Sequence, residues 1–79
     1  MRLSPHQVKM ARAGLGLTLR DLEERSGITA TTLSAFENGK TSPYAETLYA
    51  IQEALEAAGA VFSRRDGQLC VCVPDPDHK

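Results

Sequence analysis

The sequence predicts a mostly α-helical fold of four short helices followed by a C-terminal β-hairpin. Up to residue 58, apolar residues recur three or four positions apart in successive segments, which is helical spacing. Glycines close these segments, as they do at helix C-termini. After Gly59 the apolar residues alternate on both sides of Asp66-Gly67, a dipeptide typical of two-residue hairpin turns. We therefore expect one domain, residues 1–79, with a helical part (1–59), a hairpin (60–73) and a polar tail (74–79).

The first and fourth helices are each predicted to begin at a Ser-Pro dipeptide. Ser4 is a suitable N-cap, Pro5 fits the first helical position, and Gln7 can complete a capping box. By the same reasoning we expect Ser42 and Pro43 to start the fourth helix. A pair of glycines predicts that the first helix ends near residue 13 or 14. The fourth helix has an amphipathic stripe formed by Leu48, Ile51, Leu55 and Ala58.

The second and third helices are predicted to be joined by a sharp turn. Thr18 caps the second helix, with Asp21 three residues later, and Gly27 can adopt the left-handed backbone conformation of the turn. Thr29 caps the third helix, which ends at Asn38-Gly39. Two helices joined by a glycine turn, the second of which exposes a polar face, form a helix-turn-helix.

Residues 18–40 resemble the helix-turn-helix of the Cro/CI-type, or XRE, family of DNA-binding regulators. The matching positions are Thr18, Leu22, Gly27, Ile28, Leu33, Phe36 and the closing Glu37-Asn38-Gly39-Lys40. The resemblance extends upstream to Arg12 and downstream to residues 42–43, 47–48, 55–59 and 62. It implies a four-helix, lambda-repressor-like domain that binds double-stranded DNA. It also implies a small transcriptional regulator, a repressor or phage-like control protein, that acts as a homodimer.

The start of the third helix is where such a domain reads bases in the major groove. Small and hydroxyl-bearing residues occupy this stretch, including Thr29 and Ser34. By resemblance to the family, the base-reading positions are Ala30, Thr31, Thr32 and Ala35. Because no Arg, Gln or Asn stands at the helix start, the strongest bidentate base readers are missing. We therefore expect modest sequence specificity, or specificity that depends on DNA shape.

Phosphate contacts are expected around the two helices of the motif. The candidate side chains are Thr18, Arg20, Asn38, Lys40, Thr41, Ser42 and Tyr44. Main-chain N–H groups at the start of the second helix and around Asn38-Gly39 are further candidates. The family resemblance also implies a structural pair, in which Arg12 of the first helix reaches Glu37 after the third.

Two residues depart from the pattern of the family. The family usually has Gln, which contacts phosphate, at the position of Leu19. It prefers a small residue where this chain has Glu23. A carboxylate there needs room or a partner. It either caps N–H groups of the third helix, opens the angle between the helices, or repels a nearby phosphate.

Charge and hydropathy limit the other possibilities. Residues 1–44 carry six basic and four acidic side chains, a net charge of +2. Residues 45–79 carry three basic and six acidic side chains, a net charge of −3, so the total is −1. This asymmetry fits a DNA-facing N-terminal part. No apolar run could span a membrane, and no signal-peptide region is present, so we expect no membrane partner and a cytoplasmic protein.

The sequence favours no metal, cofactor or catalytic site. Cys70 and Cys72 lack a second pair of ligands, and His78 is a poor candidate ligand, so we interpret both cysteines as small apolar strand residues. No nucleophile pairs with a histidine, and there is no phosphate-binding loop. We predict a protein that is not an enzyme, with no evident small-molecule ligand.

The hairpin is predicted to mediate dimerisation. A two-residue turn at Asp66-Gly67 pairs Arg64 with Leu69, Phe62 with Val71 and Val61 with Cys72. One face then covers the helical core. The other face is unusually apolar for a solvent-facing surface, and we predict that it forms a dimer interface through Val61, Ser63, Cys70 and Cys72. The alternative is a monomer whose hairpin only covers its own core.

Two functions therefore fit the sequence. The first is a sequence-specific regulator that binds duplex DNA. The alternative is a protein-interaction module of the same fold, antitoxin-like or anti-regulator, with weak or no operator binding. The weak base-reading set and the acidic C-terminal part favour this alternative.

Overall fold

The computed structural model describes residues 3–77 and confirms the predicted fold class. The elements in chain order are α1 (Pro5–Leu15), α2 (Leu19–Ser26), α3 (Ala30–Glu37), α4 (Ala45–Ala57), β1 (Val61–Arg65) and β2 (Gln68–Cys72). Residues 1–2 and 78–79 lie outside the described residues, and so does the predicted role of His78. The two strands form one antiparallel sheet after the last helix.

Helix α1 starts as predicted but ends later than predicted. Ser4 Oγ accepts the His6 N–H at 3.2 Å, and the Ser4 N–H donates to Gln7 Oε1 at 3.1 Å. The predicted end near residue 13 or 14 is wrong, because the helix continues through Gly14 to Leu15, and Gly16 is its C-cap. Gly14 is a packing residue: a methyl group at this position would lie 2.9 Å from Val73 Cγ2. This contact joins residues far apart in the sequence.

Helix α4 does not start at Ser42-Pro43, and that prediction is wrong. The helix begins at Ala45, and Tyr44 occupies the N-cap position without a side-chain hydrogen bond. A capping box at Ser42 would need Glu or Gln three residues later. That position is Ala45, whose side chain can neither donate nor accept a hydrogen bond. The Ser4-Pro5 dipeptide therefore starts a helix, whereas Ser42-Pro43 does not.

The hydrophobic core lies between the four helices and the hairpin. Its fully buried apolar side chains are Val8, Ala11, Leu22, Leu33, Ile51 and Leu55. Helix α1 contacts α3, α4 and β2, while α2 contacts α3 and α4. Truncating such a buried Leu or Ile side chain to Ala typically costs about 2–5 kcal/mol of stability. The core therefore fixes α2 and α3 relative to the rest of the chain.

The hairpin has the predicted register. Val61 pairs with Cys72, and Phe62 with Val71, around a turn in which Asp66 and Gly67 have φ angles of 49° and 79°. Positive φ at both central residues is the signature of a type I′ turn. Phe62, Val71 and Val73 pack on the core, as expected for the inner face.

A side chain of α1 fastens the hairpin to the helices. Gln7 is fully buried, and its Nε2 donates to the main-chain oxygens of Ser63 at 3.1 Å and Cys70 at 3.4 Å. The same side chain accepts the Ser4 N–H through Oε1. One residue thus completes the cap of α1 and contacts both strands.

Candidate nucleic-acid interface

The turn between α2 and α3 is closed by hydrogen bonds from its own residues. Gly27, with φ 78°, donates its N–H to Glu23 O at 2.8 Å. Ser26 Oγ donates to Leu22 O at 2.7 Å and accepts the Ile28 N–H at 3.1 Å. These contacts leave little freedom in the turn, so they fix the direction in which α3 leaves it.

One face of α3 is a shallow concave surface open to solvent. Most of the residues that line it are spaced four positions apart, at 30, 34 and 38 and at 31 and 35, so they share one face, and Lys40 follows the end of the helix. The lining residues are Ala30, Thr31, Ser34, Ala35, Asn38 and Lys40. Leu33 and Phe36, on the opposite side, are buried in the core. The concave surface therefore combines small side chains with hydroxyl, amide and ammonium groups.

Three of the four predicted base readers lie in this concave surface: Ala30, Thr31 and Ala35. Thr32 does not line it. Its hydroxyl accepts a hydrogen bond from Thr29 Oγ1 at 2.9 Å, and its N–H donates to the same oxygen at 3.3 Å. The structure thus places Thr32 in the cap of α3, and a base-reading role for it stays a prediction.

The concave surface also contains Ser34, Asn38 and Lys40, which the predicted base-reading set did not include. Asn38 Nδ2 lies 3.4 Å from Ser34 Oγ, in hydrogen-bonding geometry, so the two polar groups are adjacent in the concave surface. The sequence indicates this position, because Ala30, Ser34 and Asn38 are spaced four residues apart and so share one face of a helix. The side-chain amide of Asn38 has a donor and an acceptor on separate atoms, which suits bidentate contacts with a base, and the start of the helix has no such amide.

All seven predicted phosphate-contacting side chains are exposed. Two of them, Thr18 and Arg20, lie at the start of α2. The other five lie between the end of α3 and the start of α4: Asn38, Lys40, Thr41, Ser42 and Tyr44. Arg20 also lines a second depression together with Glu23, Glu24 and Gly27. The side chains are therefore accessible to a ligand, and their phosphate contacts stay predictions.

The main-chain groups around Asn38 do not fit the predicted phosphate role. The N–H groups of Asn38, Gly39 and Lys40 donate to Ser34 O, Phe36 O and Ala35 O at 3.0, 3.0 and 2.9 Å. They close the C-terminus of α3. At the start of α2, the Asp21 N–H donates to Thr18 Oγ1 and the first intrahelical donor is the Leu22 N–H, so the amides of Leu19 and Arg20 have no acceptor within the helix.

Arg12 and Glu37 form the pair that the family resemblance implied. Arg12 Nε and Nη2 donate to the two carboxylate oxygens of Glu37 at 2.8 and 2.9 Å, and Nη1 donates to Leu17 O at 3.0 Å. The hydrogen bond with Glu37 raises the pKa of Arg12, against the opposing effect of burial. This bidentate pair ties the C-terminal end of α3 to α1.

The two departures from the family pattern have structural consequences. Leu19 is half-buried and packs against the core, so it offers no polar group for phosphate. Glu23 Oε1 accepts the Ala30 N–H at 3.1 Å. Glu23 therefore caps α3, the first of its three alternatives, and this cap is compatible with repulsion of phosphate by its charge.

The outer face of the hairpin is largely exposed. Val61 is 61% exposed, Ser63 and Cys72 are exposed, and Cys70 is half-buried. Both cysteines are free thiols. The four residues predicted to form a dimer interface therefore share one accessible surface, and its role in dimerisation stays a prediction.

Within residues 3–77, no cluster of three or more His, Cys, Asp or Glu side chains has a geometry suited to a metal ion. No helix in that range is long and apolar enough to cross a membrane.

Comparison with protein families gives a match to a family described as helix-turn-helix, over residues 8–58. This segment runs from α1 through α4 and includes the turn and the concave surface of α3. A comparison with curated proteins gave no match.

Proposed function

Because the chain belongs to the helix-turn-helix family of DNA-binding regulators of the Cro/CI, or XRE, type, we propose that it binds specific duplex DNA sequences and acts as a small transcriptional repressor in the cytoplasm. The observation that carries this proposal is the concave surface of α3. It places Thr31, Ser34 and Asn38 on one accessible face of a helix whose opposite side is buried. A helix presented in this way fits the major groove, and its hydroxyl and amide groups can contact base edges.

Phosphate contacts would orient this helix. Lys40 lines the concave surface, and Thr41, Ser42 and Tyr44 follow it as exposed residues. Arg20 and Thr18 lie exposed at the start of α2. Hydroxyl, ammonium and guanidinium groups on both sides of a reading helix are suited to binding the sugar-phosphate backbone without reading sequence.

Selection from random duplexes, followed by binding measurements over a range of salt concentrations, tests this function. We expect Lys40→Ala to weaken binding evenly across sequences and to reduce the salt slope by about one unit. Thr31→Ala should instead change the sequence preference. Lys9→Ala, which removes an exposed lysine outside the concave surface, is the matched control for Lys40→Ala. DNA binding that Lys40→Ala and Thr31→Ala both leave unchanged would contradict the proposal.

The rival function is a protein-interaction module with weak or no operator binding. Three observations favour it. The first turn of α3 carries no Arg, Gln or Asn, Leu19 packs on the core instead of facing phosphate, and the Glu23 carboxylate lies at the start of α3. Salt dependence separates the two functions, because binding driven by phosphate contacts weakens steeply as salt rises. Absence of salt-dependent binding to any selected duplex would favour the rival.

We further propose that the protein acts as a homodimer through the outer face of the hairpin. Val61 is a large exposed apolar residue, opposite Cys72 on the neighbouring strand. The two-stranded sheet also has two strand edges, which offer unpaired main-chain groups. A two-fold contact there would cover this surface, and dimeric helix-turn-helix proteins place their reading helices about 34 Å apart on DNA.

Sedimentation at micromolar concentration tests the dimer. We expect the full chain to sediment as a dimer and Val61→Glu to shift it towards monomer, because a carboxylate would be buried in the interface. Arg65→Ala, at the far end of the same strand face, is the control and should leave the dimer intact. A monomeric wild-type chain, or a Val61→Glu variant that still dimerises, would contradict this interface.

A further inference from the structure

Glu23 holds both sides of the turn between α2 and α3. Its main-chain oxygen accepts the Gly27 N–H at 2.8 Å, which ends α2. Its side-chain Oε1 accepts the Ala30 N–H at 3.1 Å, across seven residues of sequence. Ala30 is the first residue of α3 and lines the concave surface. The position of the first residue of the concave surface is therefore linked directly to a side chain of α2.

The other contacts at the start of α3 are local. Thr29 caps the Thr32 N–H through its hydroxyl, and the Leu33 N–H donates to Thr29 O. These bonds shape the first turn of the helix but do not reach α2. Among the described hydrogen bonds at this helix start, the Glu23 contact is the one that connects Ala30 to α2.

We propose that Glu23 is a positioning residue that sets how α3 presents Ala30 and Thr31 to bases, and that its charge limits affinity for DNA. The inference rests on the proposed function, because it concerns DNA reading by α3. The positive end of the helix dipole favours an anion at this site, and here the chain supplies its own carboxylate. The same negative charge repels phosphates that approach α3.

A neighbouring carboxylate allows the two effects to be separated. Glu24 lines the same depression as Glu23 and is exposed, whereas the hydrogen bond to Ala30 comes from Glu23. Glu24→Gln removes one negative charge from this region without removing that bond. Glu23→Gln removes the charge and keeps an oxygen that can accept the Ala30 N–H. Glu23→Ala removes both the charge and the acceptor.

The first measurement is hydrogen exchange of the Ala30 amide in the free full-length protein, for the wild type and all three variants. We expect exchange to accelerate about tenfold in Glu23→Ala and to stay near the wild-type rate in Glu23→Gln and Glu24→Gln, since opening of a hydrogen bond controls exchange. Equal exchange in Glu23→Ala and Glu23→Gln would overturn the positioning role.

The second measurement is affinity for the selected duplex and for its single-base variants. At low salt we expect Glu23→Gln and Glu24→Gln each to bind about two- to fivefold more tightly than the wild type, a gain that salt removes by screening. The ratio of affinities among the base variants should change in Glu23→Ala and stay unchanged in Glu23→Gln. That rescue by Gln distinguishes positioning from a loss of charge.

The outcomes are distinguishable. An unchanged ratio among base variants in Glu23→Ala would overturn the reading role, even if its amide exchange changes. Affinity that rises in Glu24→Gln but not in Glu23→Gln would overturn the effect of the Glu23 charge. If the wild type binds no selected duplex, the proposed function fails and the reading role fails with it, while the exchange measurement still decides whether Glu23 fixes Ala30.

Discussion

The starts of α1 and α4 share a Ser-Pro dipeptide, yet their structures differ. At α1, Ser4 is the N-cap and exchanges hydrogen bonds with the first turn of the helix. At α4, Ser42 precedes the helix by three residues, and the N-cap is Tyr44, whose side chain makes no capping bond. The difference lies three residues after each serine. The Gln7 side chain can accept the N–H of the N-cap residue, and the Ala45 side chain cannot.

The two starts also face different surroundings. The α1 start is joined to the hairpin through the buried Gln7, so its polar groups are satisfied within the chain. The α4 start follows the segment from Lys40 to Tyr44, which is exposed except at the half-buried Pro43, and its first intrahelical donor is the Leu48 N–H. The amides before it have no acceptor in the helix. The start of α4 thus has no side-chain cap and lies next to the proposed reading helix. DNA phosphates can supply acceptors for its free N–H groups.

The largest effect that we expect from this comparison comes from Gln7. A glutamate side chain is close in shape and keeps an oxygen for the Ser4 N–H, but its carboxylate cannot donate to Ser63 O and Cys70 O. The substitution would also place a negative charge in a fully buried position beside those two oxygens. We therefore expect Gln7→Glu to reduce the free energy of unfolding by about 2–3 kcal/mol, measured by urea denaturation at about pH 7.

Ser4→Ala is the matched control for Gln7→Glu, because it removes the hydroxyl cap and leaves the link to the hairpin in place. Loss of an N-cap hydroxyl typically costs about 1 kcal/mol. A loss in Gln7→Glu no larger than that in Ser4→Ala would contradict the prediction, because losing both donations to the hairpin and burying a charge would then cost no more than losing a cap hydroxyl.

Local sequence signals predicted most of the fold. Thr18 and Asp21 form the expected reciprocal cap of α2, Gly27 has the expected left-handed conformation, and Asp66-Gly67 sets the observed register of the strands. Each of these depends on residues close together in the sequence. Long-range contacts account for what was missed. The extension of α1 through Gly14 accompanies packing by Val73, and the role of Gln7 depends on a hairpin more than fifty residues away.

The candidate site was predictable to a similar extent. The family resemblance located α3 and placed Ala30, Thr31 and Ala35 on one face, where the structure has them. It did not distinguish Thr32, whose hydroxyl bonds to Thr29, because both threonines are equally polar in sequence. The sequence also left three alternatives open for Glu23, since choosing among them requires the distance from its carboxylate to the Ala30 N–H.

At the start of α4 we expect a smaller change in stability, and a gain where Gln7→Glu gives a loss. Tyr44 is 87% exposed and makes no capping bond, so its ring contributes little packing. Its backbone, with φ −61° and ψ 156°, is already in the extended conformation of an N-cap. A serine hydroxyl at this position can accept an N–H from the first turn. We therefore expect Tyr44→Ser to raise the free energy of unfolding by about 0.5–1 kcal/mol, measured by urea denaturation.

Tyr44→Ala provides the comparison that isolates the cap, because it removes the ring and adds no hydroxyl. Ser42→Ala should change stability by less than about 0.5 kcal/mol, since this exposed residue is outside the helix. If Tyr44 contacts phosphate, Tyr44→Ser and Tyr44→Ala should both weaken DNA binding although only the first stabilises the free protein. Such a result would mean that the uncapped start serves the ligand at the expense of stability. Equal stability of Tyr44→Ser and Tyr44→Ala would instead show that a hydroxyl cannot cap α4. The difference between the starts of α1 and α4 would then come from backbone geometry and not from the choice of side chain.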